Sequence, residues 1–290
     1  MAGGISGNLK PFWSDVSKRI IRGESFDRAR EESMQLFLVS QNWFRQLEKN
    51  GLILADKSGS EWKPYILESF YYSDDTTERL LPFFGDFLLD SGAFTFMQGK
   101  GGSPNWDEYI ERYADFINRN HITKFFELDI DSVIGYDYVK KIRAKLERLT
   151  GKQPIPVWHR SRGKDEYIGH CKDYPYVAIG GLVDGAKKGE YARQFWKYFP
   201  WFIGKAHEND AKIHALGFTS LEGIRQYHFD SVDSTAWTTG NRFGYLYFFD
   251  GQTMKKKDVP PGFRIGDSRA AALNNYLEWI KFQKYADKYL

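Results

Sequence analysis

Two aspartates stand where extended apolar runs end. Asp90 closes Phe87-Leu88-Leu89 and leads into Ser91-Gly92-Ala93-Phe94, while Asp233 ends Phe229-Asp230-Ser231-Val232 and leads into Ser234-Thr235. A carboxylate at the C-terminal end of a strand points into the cleft when the fold is an α/β barrel. Two of them converging there can do nucleophilic and acid/base work on a glycosidic bond. A lone aspartate in such a place more commonly caps a turn or a helix, so the pair draws its weight from its surroundings. Hydrolysis and transfer use the same pair of acids, and the pair alone does not separate them.

The elements that must position these acids follow from the pattern of apolar runs. Eight short runs are separated by helical patterns: 36–39, 87–89, 124–128, 155–158, 176–179, 212–216, 229–232 and 243–249. Eight is the count that a (β/α)8 TIM barrel requires. Between them, the spacing predicts helices from Trp106 to Asn120 behind a Pro104-Asn105 cap, from Tyr138 to Leu149, and from Ser220 to about Gln226. Arg269 to Tyr289 reads as a long closing helix. Residues 1–34 read as an N-terminal helical extension and residues 51–85 as an insertion after the first strand. The expectation is one α/β domain spanning 1–290, a TIM barrel with those two additions. At the rim the runs end in Ser40, Asp90, Asp129, His159, Gly180-Gly181, Gly217 and Asp233. Glycines in such places let a ligand lie directly against the backbone. His159 and Asp129, each taken alone, also read as a satisfied structural histidine and a helix cap.

Composition narrows the function classes. A 42% hydrophobic and 27% charged chain is ordinary for a globular protein with a substantial core. Its 17% aromatic content suits a large core and also stacking on bases. A net charge of +3 neither demands nor repels a polyanion. Cys171 is the single cysteine, which excludes an intrachain disulfide and a cysteine-rich zinc site. With no apolar leader and no membrane-length apolar stretch, the expected setting is the reducing cytoplasm, with no membrane partner. No metal and no cofactor are called for.

Four short segments, in order and in register, resemble the tRNA-guanine transglycosylase superfamily over residues 35 to 257. Asp90-Ser91-Gly92-Ala93-Phe94 is similar to its Asp-Ser-Gly-Gly-Phe signature, and Ile179-Gly180-Gly181-Leu182 to its Gly-Gly-Leu loop. Ala215-Leu216-Gly217 resembles its Gly-Leu-Gly element, and Asp230-Ser231-Val232-Asp233-Ser234 the stretch that carries its nucleophilic aspartate. The resemblance implies a TIM barrel that exchanges guanine in a polynucleotide for a free 7-deazaguanine. It makes Asp233 the nucleophile and Asp90 the acid/base partner. Asp129 would accept from N1–H and the exocyclic amine of the base, and His159, where the family usually has Gln, would donate to O6. Ser91, Gly92, Gly180, Gly181, Leu182 and Gly217 would line the base, and Phe94 would stack on it, with core packing as the competing reading of that ring. Two departures bear on the polymer. The family's tRNA enzymes hold a structural zinc near the C-terminus, whereas this sequence has one cysteine and, after Lys257, neither Cys nor His; Thr235-Ala236-Trp237-Thr238 also replaces the usual Pro-Thr-Arg. The missing zinc region makes the chain most like the zinc-free 7-deazaguanine DNA transglycosylases of phages and bacterial DNA-modification islands.

The polymer's phosphates need cations near the rim. Arg160, Arg162 and Lys164 after the fourth run, Asn241 and Arg242 after the nucleophile segment, and Lys255-Lys256-Lys257 after the last run are the candidates. Solvated loop charge is the competing reading. Gln98-Gly99-Lys100-Gly101-Gly102-Ser103 reads as a mobile lid beside Asp90 or as a plain connector. A duplex base is out of reach until it is flipped or single-stranded, which leaves a role for a helicase or ATPase partner. The expected activity is therefore a pentosyltransferase replacing guanine in DNA with a 7-cyano-7-deazaguanine-like base through a covalent aspartyl-deoxyribose, in the host cytoplasm if phage-encoded. The alternatives are the same exchange on tRNA, as in queuine tRNA-ribosyltransferases, a non-catalytic nucleic-acid-binding subunit, and a plain N-glycosidase.

Overall fold

The structure, a computed structural model, describes residues 33–40, 62–99, 102, 104–181, 195–218, 220–243, 245–258 and 268–290, with the side chains of 241–243, 258, 268 and 269 also left outside. Residues 1–32 of the expected N-terminal extension, residues 51–61 of the insertion, Leu182, and Lys100, Gly101 and Ser103 of the glycine-rich loop lie outside the described residues.

Apolar residues that alternate along short segments build a curled parallel sheet of seven strands. They are β1 (Gln35–Val39), β2 (Tyr65–Ser69), β3 (Asp86–Asp90), β4 (Val157–Trp158), β5 (Tyr176–Ile179), β6 (Lys212–Ala215) and β7 (Ser231–Ser234), in the spatial order β3-β2-β1-β7-β6-β5-β4. The register places Ser69 beside Asp90 and Phe37 beside Asp233. The segment around Phe125 and Phe126 lies between the two outer strands. Phe125 bridges Leu89 of β3, and Phe126 bridges Ile155 just before β4, both in parallel sense. Four backbone bonds of 2.8–3.0 Å join Lys124 to Glu127 with Leu89 on one side and Ile155 on the other.

Period-two alternation sorts the strand residues onto two faces. Phe37, Leu67, Leu88, Phe126, Val157 and Ala178 meet in one buried cluster on the inner face. Their neighbours Leu36, Leu38, Ile66, Val177, Ile179, Ile213 and Val232 face outward into a larger core against the helices. Asp90, His159, His214 and Asp233 share parity with the inner set. A third core packs Leu89, Phe125 and Leu128 against the helices Trp106–Arg119 and Tyr136–Thr150. The first of those helices starts as expected, with the Asn105 side chain accepting from the N–H groups of Asp107 and Glu108. Leu221–Gln226 begins behind a Ser220 cap, and the closing helix is Ser268–Tyr289. Among the described residues no helix is long and apolar enough to cross a membrane.

Two expectations are corrected. The run 243–249, read as the last barrel strand, is not in the parallel sheet. Tyr245–Phe249 pairs antiparallel with Met254–Asp258 in a separate hairpin, here β8 and β9, which packs on the closing helix. Its aromatic content gives it strand propensity without giving it a place among the inner strands. Conversely, part of the supposed insertion is strand β2, paired with both β1 and β3. Its Glu68 hides the apolar pattern. That carboxylate faces outward and is buried, and Thr77 donates to it at 3.1 Å.

Candidate active site

Strand parity turns Asp90 and Asp233 to the same inner face, and the electrostatics put Asp129 with them. Burial pushes the Asp90 carboxyl up to about 7; the Gly92 N–H bond opposes that rise, and the negative charges of Asp129 and Asp233 add to it. A carboxyl of this kind holds a proton at mildly acidic pH and releases it near neutrality, the behaviour expected of a general acid/base. Gly92 donates to Asp90 Oδ1 at 2.9 Å, a contact made possible by its left-handed φ of 86°. A Cβ there would meet Tyr71 Cβ at 2.8 Å and the Tyr109 hydroxyl at 2.9 Å, so Gly92 is required by the turn itself. The same turn buries Ser91 completely. Its backbone carbonyl accepts from the Tyr109 hydroxyl at 2.6 Å, and its own hydroxyl has no partner among the described residues. Phe94 is 60% exposed, which removes the core-packing reading of that ring.

Asp129 is buried beside His159, whose Nε2 lies 2.7 Å from Asp129 Oδ2. Burial raises the Asp129 pKa, while the bond and charge of His159 and the charge of Arg162 hold the rise back. For His159 burial works downward, but the hydrogen bond and charge of Asp129 outweigh it and leave the imidazole above its ordinary value. The two form a carboxylate–imidazole pair, with Asp129 the acceptor. Gly180 exists to make room for that imidazole. A Cβ on it would fall 2.7 Å from His159 Cε1 and 2.9 Å from Val157 Cγ1. Its N–H is already engaged by the Trp158 carbonyl at 2.8 Å, so Gly180 has no N–H to offer a base. Gly181 is exposed with a left-handed φ of 71°.

Asp233 is held from two sides. The Gly217 N–H donates to its Oδ1 at 2.6 Å, and His214 Nε2 lies 3.1 Å from the same oxygen. Gly217, expected to line the base, thus holds the carboxylate. His214 was not singled out by its sequence context, although its parity with Leu216 in an otherwise apolar strand was the available signal. The structure also adds Tyr109 and Tyr113: the Tyr113 hydroxyl reaches the carbonyls of Leu89 and Phe126 at 3.2 and 3.0 Å and ties β3 to the neighbouring segment.

Of the expected phosphate contacts, Arg162 is displaced from that role. Its side chain is fully buried, forked onto Asp131 at 2.6 and 2.8 Å and bonded to Glu127. Glu127 is itself completely buried, accepts from the Val157 N–H at 2.8 Å and pairs with Arg143 at 3.2 Å. A buried carboxylate needs such compensation, so Arg162 serves the framework under Asp129. Arg160 is exposed on the short 3-10 turn that follows His159. Lys255, Lys256 and Lys257 are exposed on β9, with Lys255 3.4 Å from Asp250 and Lys256 over the Tyr245 ring at 4.5 Å. Asn241 and Arg242 lie in the helix Ala236–Phe243, their side chains outside the described residues.

A cleft of about 430 Å³ is lined by Phe70, Tyr71, Glu78, Phe96, Arg112 and Arg119 among others; Asp90, Asp129 and Asp233 are not among its lining residues. It reaches Tyr71 and Tyr109, which press on the Asp90–Gly92 turn. No group of three or more His, Cys, Asp or Glu among the described residues is arranged to hold a metal ion. No protein-family model matches the chain, and no curated protein matches it in sequence.

Proposed function

We propose that this chain is a base-exchange transglycosylase that replaces guanine in DNA with a free 7-deazaguanine. In this reading the seven strands and the Lys124–Glu127 segment are the eight staves of a (β/α)8 barrel with the site at its C-terminal rim. The observation that carries the reading is that Asp90 and Asp233 share one inner face, where burial first and then the charges of Asp129 and Asp233 push the Asp90 carboxyl up to about 7. Asp233 attacks C1′ of the deoxyribose as the C1′–N9 bond breaks. The electron pair leaves with guanine, which takes a proton from Asp90. The incoming base returns its N9 proton to the Asp90 carboxylate as the new C1′–N9 bond forms and the Asp233 ester breaks. Asp129, oriented by His159, accepts from the N1–H and amine edge, and exposed Phe94 offers a stacking face. DNA is favoured over tRNA by the sequence's single cysteine, Cys171, which cannot build the tRNA enzymes' zinc site.

The test incubates the protein with guanine-labelled single-stranded DNA, and in parallel with tRNA, in the presence of free 7-cyano-7-deazaguanine. Exchange on DNA that disappears in Asp233→Asn supports the reading. Exchange confined to tRNA moves the polymer and keeps the chemistry. Guanine release without an incoming base makes the chain an N-glycosidase, and no reaction on either polymer refutes the proposal.

A further inference from the structure

Behind Asp233 a chain of hydrogen bonds runs through the interior of the sheet. His214 Nε2 faces Asp233 Oδ1 at 3.1 Å, and His214 Nδ1 lies 2.5 Å from Ser231 Oγ. Ser231 Oγ in turn meets the Tyr176 hydroxyl. His214 and Ser231 are completely buried and Asp233 nearly so. The rings of Phe37 from β1 and Phe126 lie against the imidazole, with centroids 6.3 and 5.3 Å away. The titratable groups joined to His214 are Asp233 of β7 and, through Ser231, Tyr176 of β5, which the charges of Asp230 and Asp86 also reach.

We propose that His214 is a positioning residue for Asp233, set by Ser231 and Tyr176 as the Nε2–H tautomer so that it pins Oδ1 and leaves Oδ2 to attack the sugar. The inference rests on the reading of Asp233 as nucleophile. Its logic is donor counting. An ionised carboxylate can only accept, so Nε2 must carry the proton. Nδ1 then accepts from the Ser231 hydroxyl, and Ser231 Oγ accepts from Tyr176. Burial raises the Tyr176 phenol and keeps it a donor. The chain thus has one polarity, from Tyr176 to Asp233. With one proton on the ring, reversing it would require a protonated Asp233 donating to Nε2, and a protonated acid cannot form the ester. Among the described residues the hydrogen bonds of Asp233 fall on Oδ1, from His214 and Gly217, which leaves the other oxygen unclaimed.

The experiment combines a structural and a kinetic readout. Nitrogen-15 NMR of imidazole-labelled protein at neutral pH should show His214 as Nε2–H, and Ser231→Ala should shift it toward a mixed tautomer. His214→Phe should lower kcat for exchange about 10- to 100-fold at nearly unchanged KM. His214→Gln, which retains a donor, should recover part of that loss. An Nδ1–H tautomer in the wild-type protein overturns the inference. So does a His214→Phe enzyme with wild-type rate and pH profile while Asp233→Asn is inactive. If Asp233→Asn still exchanges, the nucleophile assignment has failed, and the tautomer measurement alone then decides whether His214 donates to Asp233. Should His214→Phe not fold, Ser231→Ala and the wild-type spectrum decide between the two tautomers.

Discussion

Replacing Asp90 by Asn tests whether its carboxyl is held protonated up to neutrality. The Asp90 carboxyl moves from an ordinary 3.8 to about 7, because burial and two nearby negative charges disfavour its ionised form. A shift of that size corresponds to about 4 kcal/mol, and partial exposure of the residue at the rim discounts it to about 2–4 kcal/mol. The sign follows from proton counting. Below pH ~4 folded and unfolded chains both hold the proton. Between there and pH ~7 the unfolded chain has released it and the folded chain has not, so wild-type stability falls steadily as pH rises. Asn cannot ionise and escapes this loss. Asp90→Asn should therefore match the wild type near pH 4 and exceed it by about 2–4 kcal/mol at pH 8, while losing exchange activity. Urea unfolding followed by tryptophan fluorescence at pH 4.5, 6, 7 and 8 measures the difference. Parallel stability curves for the two proteins across that range would refute a raised Asp90 carboxyl, and with it the acid/base role given to Asp90.

Other substitutions probe the supports. Gly180→Ala drives a methyl into His159 Cε1, 2.7 Å away, and should cost about 1–3 kcal/mol. It should also loosen the His159–Asp129 bond and let the imidazole pKa fall, as an NMR titration would show. Arg162→Met takes one of its two cations from the buried Glu127, leaving Arg143, and should destabilise by up to about 3–5 kcal/mol in thermal and urea melts. Lys255→Ala, on an exposed strand, should leave stability within about 0.5 kcal/mol and reduce the salt dependence of DNA binding. Phe94→Ala should likewise leave melting unchanged yet weaken single-stranded DNA by about 1–3 kcal/mol in fluorescence anisotropy. An unaltered affinity would exclude the ring from stacking.

The strand-end residues were legible because period-two alternation and turn chemistry act locally. Asp90, Asp129, His159 and Asp233 could be placed at the ends of apolar runs before any contact was known. What stayed hidden depends on partners far apart in sequence. Strand β2 carries Glu68, polar until Thr77 is seen bonded to it. The aromatic run 245–249 looks like a core strand until its lysine-rich partner 254–258 is paired with it. Arg162 looked like a phosphate ligand because nothing in the sequence says that Glu127, 35 residues away, is buried and waiting for a charge. Gly180 and Gly217 resembled ligand-facing glycines, but one makes room for an imidazole and the other holds a carboxylate. His214 was missed for the same reason, since its importance lies in the oxygen it faces.

The closing helix has a bearing on how this protein is made. Gln283 donates to the carbonyls of Leu36 and Tyr65 at 2.7 and 2.8 Å, and its oxygen accepts from the Tyr65 N–H at 3.1 Å. The first of these bonds spans 247 residues. A growing polypeptide that has not yet delivered Ser268–Tyr289 to the folding machinery leaves the carbonyls of Leu36 and Tyr65 without their Gln283 donor. The expected outcome is that assembly is completed only once that helix has emerged, and contacts of such long sequence separation favour slow folding. Arrested nascent chains stopped before residue 268 should remain open to protease throughout, and those in which all 290 residues have emerged should not.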